Sequence, residues 1–190
     1  EGRSAMHRDM LANGKLDFAM LFESTAPAGI EIAPLLSERL HFVCADAPVR
    51  AALAGRSAVS LREVAQWPLL LPPRPNGIRA LLERECQAAG LELTVAANLS
   101  GVQTIWSAVR AGLGSSVIMA GNADIAHRDE VLLLPISDPE MERPACVAQL
   151  IDLPLTHAAF EMKQLLVHTA RELVSAGRWP GASLIAGTEG

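Results

Sequence analysis

The 190-residue sequence has little of what disulfide-bonded or membrane-embedded proteins require. Its three cysteines, Cys44, Cys86 and Cys146, lie far apart and form no Cys-x-x-Cys pair. An odd and scattered set predicts reduced thiols in a cytoplasmic protein rather than a disulfide framework. No apolar run approaches the roughly 20 residues that a membrane helix needs, so no membrane association is expected.

Clustered positive charge is also scarce. Sixteen Lys and Arg residues stand against 21 Asp and Glu, which gives a formal net charge of −5. A surface that binds nucleic acid needs clustered positive charge to contact phosphates. The nearest basic group, Arg74, Arg79 and Arg84, is diluted by Glu83 and Glu85. This stretch of chain is therefore not expected to touch DNA itself.

Motifs for catalysis are missing as well. The five histidines show neither His-x-x-x-His nor HExxH spacing, so the sequence predicts no metal site. There is no Gly-x-Ser-x-Gly elbow for a serine nucleophile, and no Gly-x-Gly-x-x-Gly or Walker loop for a nucleotide. We therefore predict no catalytic residues, no metal and no cofactor, and we expect that the protein is not an enzyme.

The sequence does contain the elements of a packed α/β domain. Hydrophobic residues make up 50% and charged residues 19%, and short apolar runs alternate with amphipathic segments. The predicted strands cover residues 16–21, 32–45, 68–72, 93–99, 115–120, 131–136 and 145–151. The predicted helices cover residues 4–13 and 157–176, with others that begin at Ser60, Asn76 and Ser100.

Several residues mark the helix ends and buried faces. Ser60 with Glu63 and Ser100 with Gln103 each match the capping-box pattern. Glycines are expected to end three helices, at Gly14, Gly90 and Gly177. Helical spacing predicts two buried stripes, one of Val102, Ile105, Trp106, Val109 and Leu113, the other of Met162, Leu165, Leu166, Thr169 and Leu173.

An ordered series of segments resembles the effector-binding domain of LysR-type transcription regulators. The segments are MLANGKLDFAMLFE (10–23), IEIAPLLSERLHFVC (30–44), LREVAQWPLLLP (61–72), NGIRALLERECQAAG (76–90) and TIWSAVRAGLGSSVIM (104–119). The family patterns within them are L-x-x-G-x-L-D, P-L-x-x-E-x-L and V-x-A-G-L-G. The phrase LPPRPNGIR also resembles regulators related to nitrogen-assimilation control.

The resemblance implies an α/β fold of two Rossmann-like lobes joined by two crossover strands, as in type 2 periplasmic binding proteins. Lobe I would comprise residues 1–43 and 143–190, and lobe II would comprise residues 44–142. Full family members carry a winged helix-turn-helix, a linker helix and a first strand–helix–strand of lobe I before the point that corresponds to Glu1. The N-terminal part of lobe I is therefore expected to be missing.

The resemblance also implies a function. The domain would bind a small polar or anionic metabolite in the inter-lobe cleft and would form a homodimer, with a tetramer in the full-length protein. DNA would be contacted only through the absent N-terminal helix-turn-helix domain. Two alternatives share the architecture: an extracytoplasmic solute-binding protein, which a signal peptide would reveal, and a small enzyme, which turnover of a metabolite would reveal.

Candidate effector-binding residues lie where strands end and helices begin. Helix N-termini favour anions, which points to Ser4, Asn76 and Ser100. Each of these side chains could equally serve only to cap its own helix, a contribution of about 1 kcal/mol. The turns after strands add the remaining candidates, which are Phe22, Glu23, Pro73, Arg74, Leu99 and Ser115.

Two of these candidates have an equally simple structural interpretation. Arg74 lies in a loop stiffened by prolines and could bind a carboxylate with two hydrogen bonds, or it could be a solvated surface arginine. Ser115 follows Gly114, where the backbone can approach a ligand or simply pack a helix closely against a strand.

Overall fold

Two compact units make up the chain. The computed structural model describes residues 4–22, 26–122 and 129–185. The helices are α1 (Ser4–Ala12), α2 (Ala47–Ala52), α3 (Leu61–Val64), α4 (Gly77–Ala88), α5 (Val102–Arg110) and α6 (His157–Ser175), with a 3-10 turn at Ala120–Asn122. The strands are β1 (Phe18–Leu21), β2 (Ile30–Cys44), β3 (Val59–Ser60), β4 (Leu69–Leu71), β5 (Val95–Asn98), β6 (Ser116–Met119), β7 (Leu132–Asp138), β8 (Glu142–Leu150) and β9 (Ala182–Leu184).

The first unit comprises residues 1–38 and 143–190, and the second comprises residues 39–142. The chain passes from the first unit to the second within β2 and returns at the start of β8. These elements confirm the predicted α/β fold of two lobes connected by two strands. The lobe boundaries expected from the sequence stay a prediction, and the contacts of residues 39–43 group them with the second unit.

In the first unit, helices cover both faces of a small sheet. Strand β1 pairs antiparallel with β8, and β8 lies beside the first part of β2. Side chains alternate between the two faces of a strand. One face therefore carries the cluster of Leu11, Ala19, Leu21, Ile30, Cys146 and Ala148, against which α1 packs. A second cluster, which packs with Ala170 of α6, contains Ala145 and Val147 together with the adjacent residues Leu35 and Leu36.

In the second unit, the second part of β2 lies at the centre of an antiparallel arrangement. It pairs with β6, where Leu40 lies opposite Met119, and with β7, where Cys44 lies opposite Leu132. Strand β3 pairs with β7 in parallel, and β4 pairs with β5 in parallel. The large core of this unit includes Phe42, and Trp106 is buried in a second cluster as its helical position predicted.

The capping residues predicted from the sequence are the ones that the structure shows, except at the start of α5. The capping box of Ser60 and Glu63 is present, and Asn76 caps α4. The three glycines predicted to end helices have φ between 63° and 66°. The predicted buried stripes are partly wrong, because Leu113 follows the end of α5 and its side chain is exposed.

The buried face of α6 also differs from the predicted one. Met162 and Leu165 are each 57% exposed, and Thr169 is exposed too. The helix instead packs through the buried residues Ala159 and Ala170, with Leu166, Val167 and Val174 partly buried on the same side. Alanines allow a helix to approach a sheet closely. The pattern of large apolar residues alone therefore points to the wrong face.

Candidate functional site

Two loops of the second unit leave the sheet at the same edge. Because β4 and β5 are parallel, with Leu71 opposite Asn98, their carboxyl ends lie side by side. The N–H of Leu99 donates to the carbonyl oxygen of Leu71 at 2.9 Å and fixes this arrangement. The structure thus brings Pro73, Arg74 and Asn76, which follow β4, to the same edge as Leu99 and Ser100, which follow β5. Ligands of parallel α/β sheets bind at such edges.

Asn76 acts as a helix cap. Its Oδ1 atom accepts hydrogen bonds from the N–H groups of Ile78 at 3.0 Å and Arg79 at 3.2 Å. These bonds satisfy two of the N–H groups that the first turn of α4 leaves without partners. The structural interpretation of Asn76 is therefore confirmed, and its role in binding an effector stays a prediction.

Helix α5 begins without such a cap. The predicted capping box of Ser100 and Gln103 is wrong, because the N-cap residue is Gly101 and no side chain accepts from the first turn. Gly101 has φ +88°, a conformation that favours glycine, and this extra residue separates Ser100 from the helix. Ser100 is exposed beside the uncapped helix start. The N–H groups of this turn are thus left without a side-chain acceptor.

Arg74 is an exposed arginine that already has a partner. Its Nε donates to both carboxylate oxygens of Glu83, at 3.1 and 2.9 Å, and its Nη2 lies 2.7 Å from Glu83 Oε1. Hydrogen bonds from Arg74 and then from Arg79 lower the pKa of Glu83, which therefore stays ionised near neutral pH. Hydrogen bonding to Glu83 raises the pKa of Arg74 in turn. A ligand carboxylate that approached the Nε side of Arg74 would thus compete with Glu83.

Arg79 was not among the candidate binding residues predicted from the sequence. Its Nη1 donates to the carbonyl oxygen of Pro72 at 3.1 Å and to the side-chain oxygen of Asn98, so it connects the loop after β4 to the end of β5. The only local signal was its position four residues before Glu83, which accepts from Arg79 Nε at 2.7 Å.

A cavity of about 330 Å³ lies beside α4 and holds both arginines in its wall. It is lined by Arg74, Arg79, Glu83, Cys86, Gln87, Leu91, Leu93 and Val95. The lining thus combines three charged side chains with the aliphatic Leu91, Leu93 and Val95. The cavity has the size of a small-ligand site, and two positive charges in it face one negative charge.

Ser115 is not part of this edge. It forms a parallel bridge with Leu69, the first residue of β4, and its carbonyl oxygen accepts from the N–H of Leu70 at 2.8 Å. Because β4 runs from Leu69 to Leu71, Ser115 lies at the opposite end of that strand from the loops that carry Arg74 and Ser100. The structure therefore does not bring this predicted residue together with the other candidates of its unit.

In the first unit, two predicted residues are in contact. The Oγ atom of Ser4, the first residue of α1, accepts a hydrogen bond from the N–H of Phe22 at 3.2 Å. Phe22 directly follows β1, so the start of α1 lies at the carboxyl end of that strand. The predicted residue Glu23 lies outside the described residues.

Phe22 leads to a charged cluster that the sequence analysis missed. The guanidinium of Arg143 lies 3.7 Å from the centre of the Phe22 ring. Its Nη2 and Nε donate to Glu38 Oε2 at 2.7 and 3.1 Å, and the indole N–H of Trp179 donates to Glu38 Oε1 at 3.1 Å. Burial lowers the pKa of Arg143, and the nearby charge of Glu38 opposes this effect. Strand alternation could have revealed Glu38, because it falls on the same face as Leu36.

Other kinds of site find no support among the residues that the structure describes. Within them, no group of three or more His, Cys, Asp or Glu side chains is arranged to hold a metal ion. No described helix has both the length and the apolar character needed to cross a membrane. The three cysteines are buried and unbridged, and burial raises the pKa of Cys44 to about 11.

Comparison with known proteins decides the family. The family described as the LysR substrate binding domain matches residues 1–177, which is most of the chain. The chain belongs to the LysR substrate-binding domain family. Members of this family are regulators rather than enzymes, in agreement with the sequence-based expectation. The effector-binding domain of QuiR, solved in complex with shikimate, has 19% identity and a TM-score of 0.75, and the match covers 90% of this chain and 79% of that one.

Two further proteins are similar to this LysR domain, one in fold and one in sequence. The regulatory domain of Synechocystis PCC6803 CcmR, solved in complex with 2-PG, has 19% identity and a TM-score of 0.76, covering 90% of this chain and 81% of that one. The nitrogen assimilation regulatory protein nac of Klebsiella aerogenes is 32% identical over 111 residues, which is 58% of this chain and 34% of that protein. The narrower resemblance to nitrogen-assimilation regulators is thus supported. The chain spans between 34% and 44% of the length of the curated relatives it matches.

Proposed function

We propose that this LysR domain is the sensing part of a transcription regulator and binds a small polar or anionic metabolite. The observation that carries the proposal is the uncapped start of α5 beside the exposed Ser100. Free N–H groups at the N-terminus of a helix, together with the positive end of its dipole, favour a negatively charged or polar group. A side-chain hydroxyl next to them offers a further hydrogen bond.

The similar solved domains support a small molecule as the ligand. The QuiR domain was solved with shikimate and the CcmR domain with 2-PG. We place the candidate contacts at Ser4, Phe22 and Glu23 in the first unit. In the second they are Pro73, Arg74, Asn76, Leu99, Ser100 and Ser115, of which Ser115 has the weakest geometric support. The inter-lobe location that the family resemblance implies stays a prediction.

The remaining parts of the proposal concern the whole protein. We expect a homodimer, with a tetramer for the full-length regulator, acting in the cytoplasm. DNA contact would belong to an N-terminal helix-turn-helix domain outside these 190 residues. The effector would act by binding one conformation of the domain more tightly than another, since a ligand can shift an equilibrium only by its differential affinity.

Thermal unfolding of the 190-residue chain tests the sensor function. The chain would be heated with a panel of small carboxylates, amino acids and nitrogen metabolites, each over a range of concentrations. A ligand that binds only the folded state stabilises it by RT ln(1 + [L]/Kd), or about 2.7 kcal/mol at a hundred times the Kd. We expect one compound to give a shift that follows this law. If no compound on the panel does so, the sensor function is contradicted.

Substitutions then test the edge of the second unit. Ser100→Ala and Arg74→Ala should reduce the stabilisation that the ligand produces. Arg84→Ala is the matched control, because the side chains of Arg74 and Arg84 are both 70% exposed and both pair with a glutamate. Stabilisation that is equal in all three variants and in the unchanged chain would contradict the assignment to this edge.

A further inference from the structure

Arg143 combines burial with free hydrogen-bond donors. Its side chain is only 17% exposed, yet its bonds within the described residues use Nε and one N–H of Nη2, both toward Glu38. Nη1 and the second N–H of Nη2 have no hydrogen-bond partner among those residues, and Nη1 is not sealed from solvent. These donors form the end of the guanidinium, where a carboxylate or phosphate can accept two parallel hydrogen bonds.

The guanidinium is fixed in place by its neighbours. Glu38 holds one edge through Oε2, and Trp179 holds Glu38 through Oε1, so the carboxylate has a donor on each oxygen. The Phe22 ring covers one face of the guanidinium at 3.7 Å. An arginine held on an edge and a face loses little conformational entropy when it binds an anion, which favours affinity.

The same cluster adjoins residues that sequence reasoning had linked to the effector. Phe22 contacts Arg143 through its ring and Ser4 through its backbone N–H. Arg143 therefore lies next to the carboxyl end of β1, on the face of the sheet that α6 covers. An anion on the free end of the guanidinium would lie beside this strand end.

We infer that Arg143 binds the oxyanion of the effector, a carboxylate or a phosphate, through the free end of its guanidinium, with Glu38, Phe22 and Trp179 as positioning residues. The inference rests on the proposed function and concerns residues of the first unit alone. It adds a cation that differs from Arg74 in being largely buried and in having one face covered by an aromatic ring.

Calorimetric titration of the full 190-residue chain tests the inference with three probes. Benzoate carries a carboxylate on a ring, benzamide is its neutral counterpart, and inorganic phosphate tests the other oxyanion. We expect saturable binding of benzoate or phosphate and none of benzamide. Because the indole of Trp179 bonds to Glu38, binding should also change the tryptophan fluorescence, and Trp179→Phe should remove that change.

Variants of the ion pair locate the bound anion. Arg143→Lys keeps the charge but loses the two-pronged geometry, so affinity should fall about tenfold to a hundredfold. Glu38→Gln with Arg143→Gln replaces the pair with two neutral amides, which keeps the core uncharged in case a single change prevents folding. Arg178→Gln is the matched control, because Arg178 is an exposed arginine of the same unit that pairs with Glu172.

The outcomes separate this inference from the sensor function. Unchanged affinity in Arg143→Lys and in the double variant overturns the role of Arg143, as does the absence of saturable binding by either anion. A ligand that stabilises the chain in thermal unfolding but ignores both variants leaves the sensor function in place and moves its anion contact elsewhere. Loss of binding in both variants, with Arg178→Gln unaffected, supports Arg143.

Discussion

Removal of the Glu38 carboxylate should destabilise the protein far more than removal of Glu140, although the two ion pairs have the same length. Glu38 lies 2.7 Å from Arg143, and Glu140 lies 2.7 Å from Arg39. The side chains of the first pair are 6% and 17% exposed, whereas those of the second are 65% and 29% exposed. Burial, and not distance, therefore distinguishes them.

The expected magnitudes follow from solvent access. Glu38→Ala leaves a buried guanidinium without its counter-charge and the indole N–H of Trp179 without an acceptor, so the free energy of unfolding should fall by about 3–5 kcal/mol. Glu140→Ala removes an exposed pair that water and salt screen, with an expected loss of about 0.2–1 kcal/mol. Glu38→Met with Arg143→Met should recover much of the first loss, because no buried charge then remains unpaired.

Urea denaturation, followed by circular dichroism and by tryptophan fluorescence, measures these differences. A shift of the midpoint at constant slope reports a change in stability. Trp179 reports on the first unit, and Trp67 and Trp106 report on the second, so the loss in Glu38→Ala should be clearest in the Trp179 signal. Equal and small losses in Glu38→Ala and Glu140→Ala would refute the argument that burial makes the first pair important.

Three further predictions concern single sites. Asn76→Ala should lower the free energy of unfolding by about 1 kcal/mol, because the Asn76 side chain accepts hydrogen bonds from two backbone N–H groups. Ser100→Ala should change that free energy little, since Ser100 caps no helix, and urea denaturation measures both variants. Burial raises the pKa of Cys44 to about 11, so a thiol reagent at neutral pH should label it only after unfolding, and fast labelling of the folded chain would contradict this. Hydrogen bonds from Ser60, the residue that caps α3, lower the pKa of Glu63. The contribution of the ionised Glu63 to the stability of the fold is therefore fully present above pH 4.5 and is lost as the pH falls through the lowered pKa. The stability difference between the unchanged chain and Glu63→Gln should therefore shrink in acid, and a difference that stays constant would contradict the assignment.

Local sequence rules placed most of the strands and helices correctly. Apolar runs such as residues 68–72 became buried strands, and Asn76 and Ser60 cap helices as their positions predicted. These features depend on residues within about one helical turn or on the alternation of a single strand. The resemblance to LysR domains rests on the same local spacings, which is why the family could be predicted from the sequence.

The errors arose where one local pattern admits two structures. The start of α5 moved by one residue because Gly101 can adopt a positive φ, which left Ser100 outside the helix. The buried face of α6 carries the small residues Ala159 and Ala170, whereas the larger Met162 and Leu165 are exposed.

The candidate site divides in the same way. The sequence by itself determined that Ser4 would begin a helix and that Arg74 and Ser100 would follow strands. Only the tertiary structure decided that Glu38 and Arg143, 105 residues apart, would form a buried ion pair. The physical reason is that β8 and β2 become neighbours only when the sheet assembles, and no local pattern encodes which distant charge a buried carboxylate will meet.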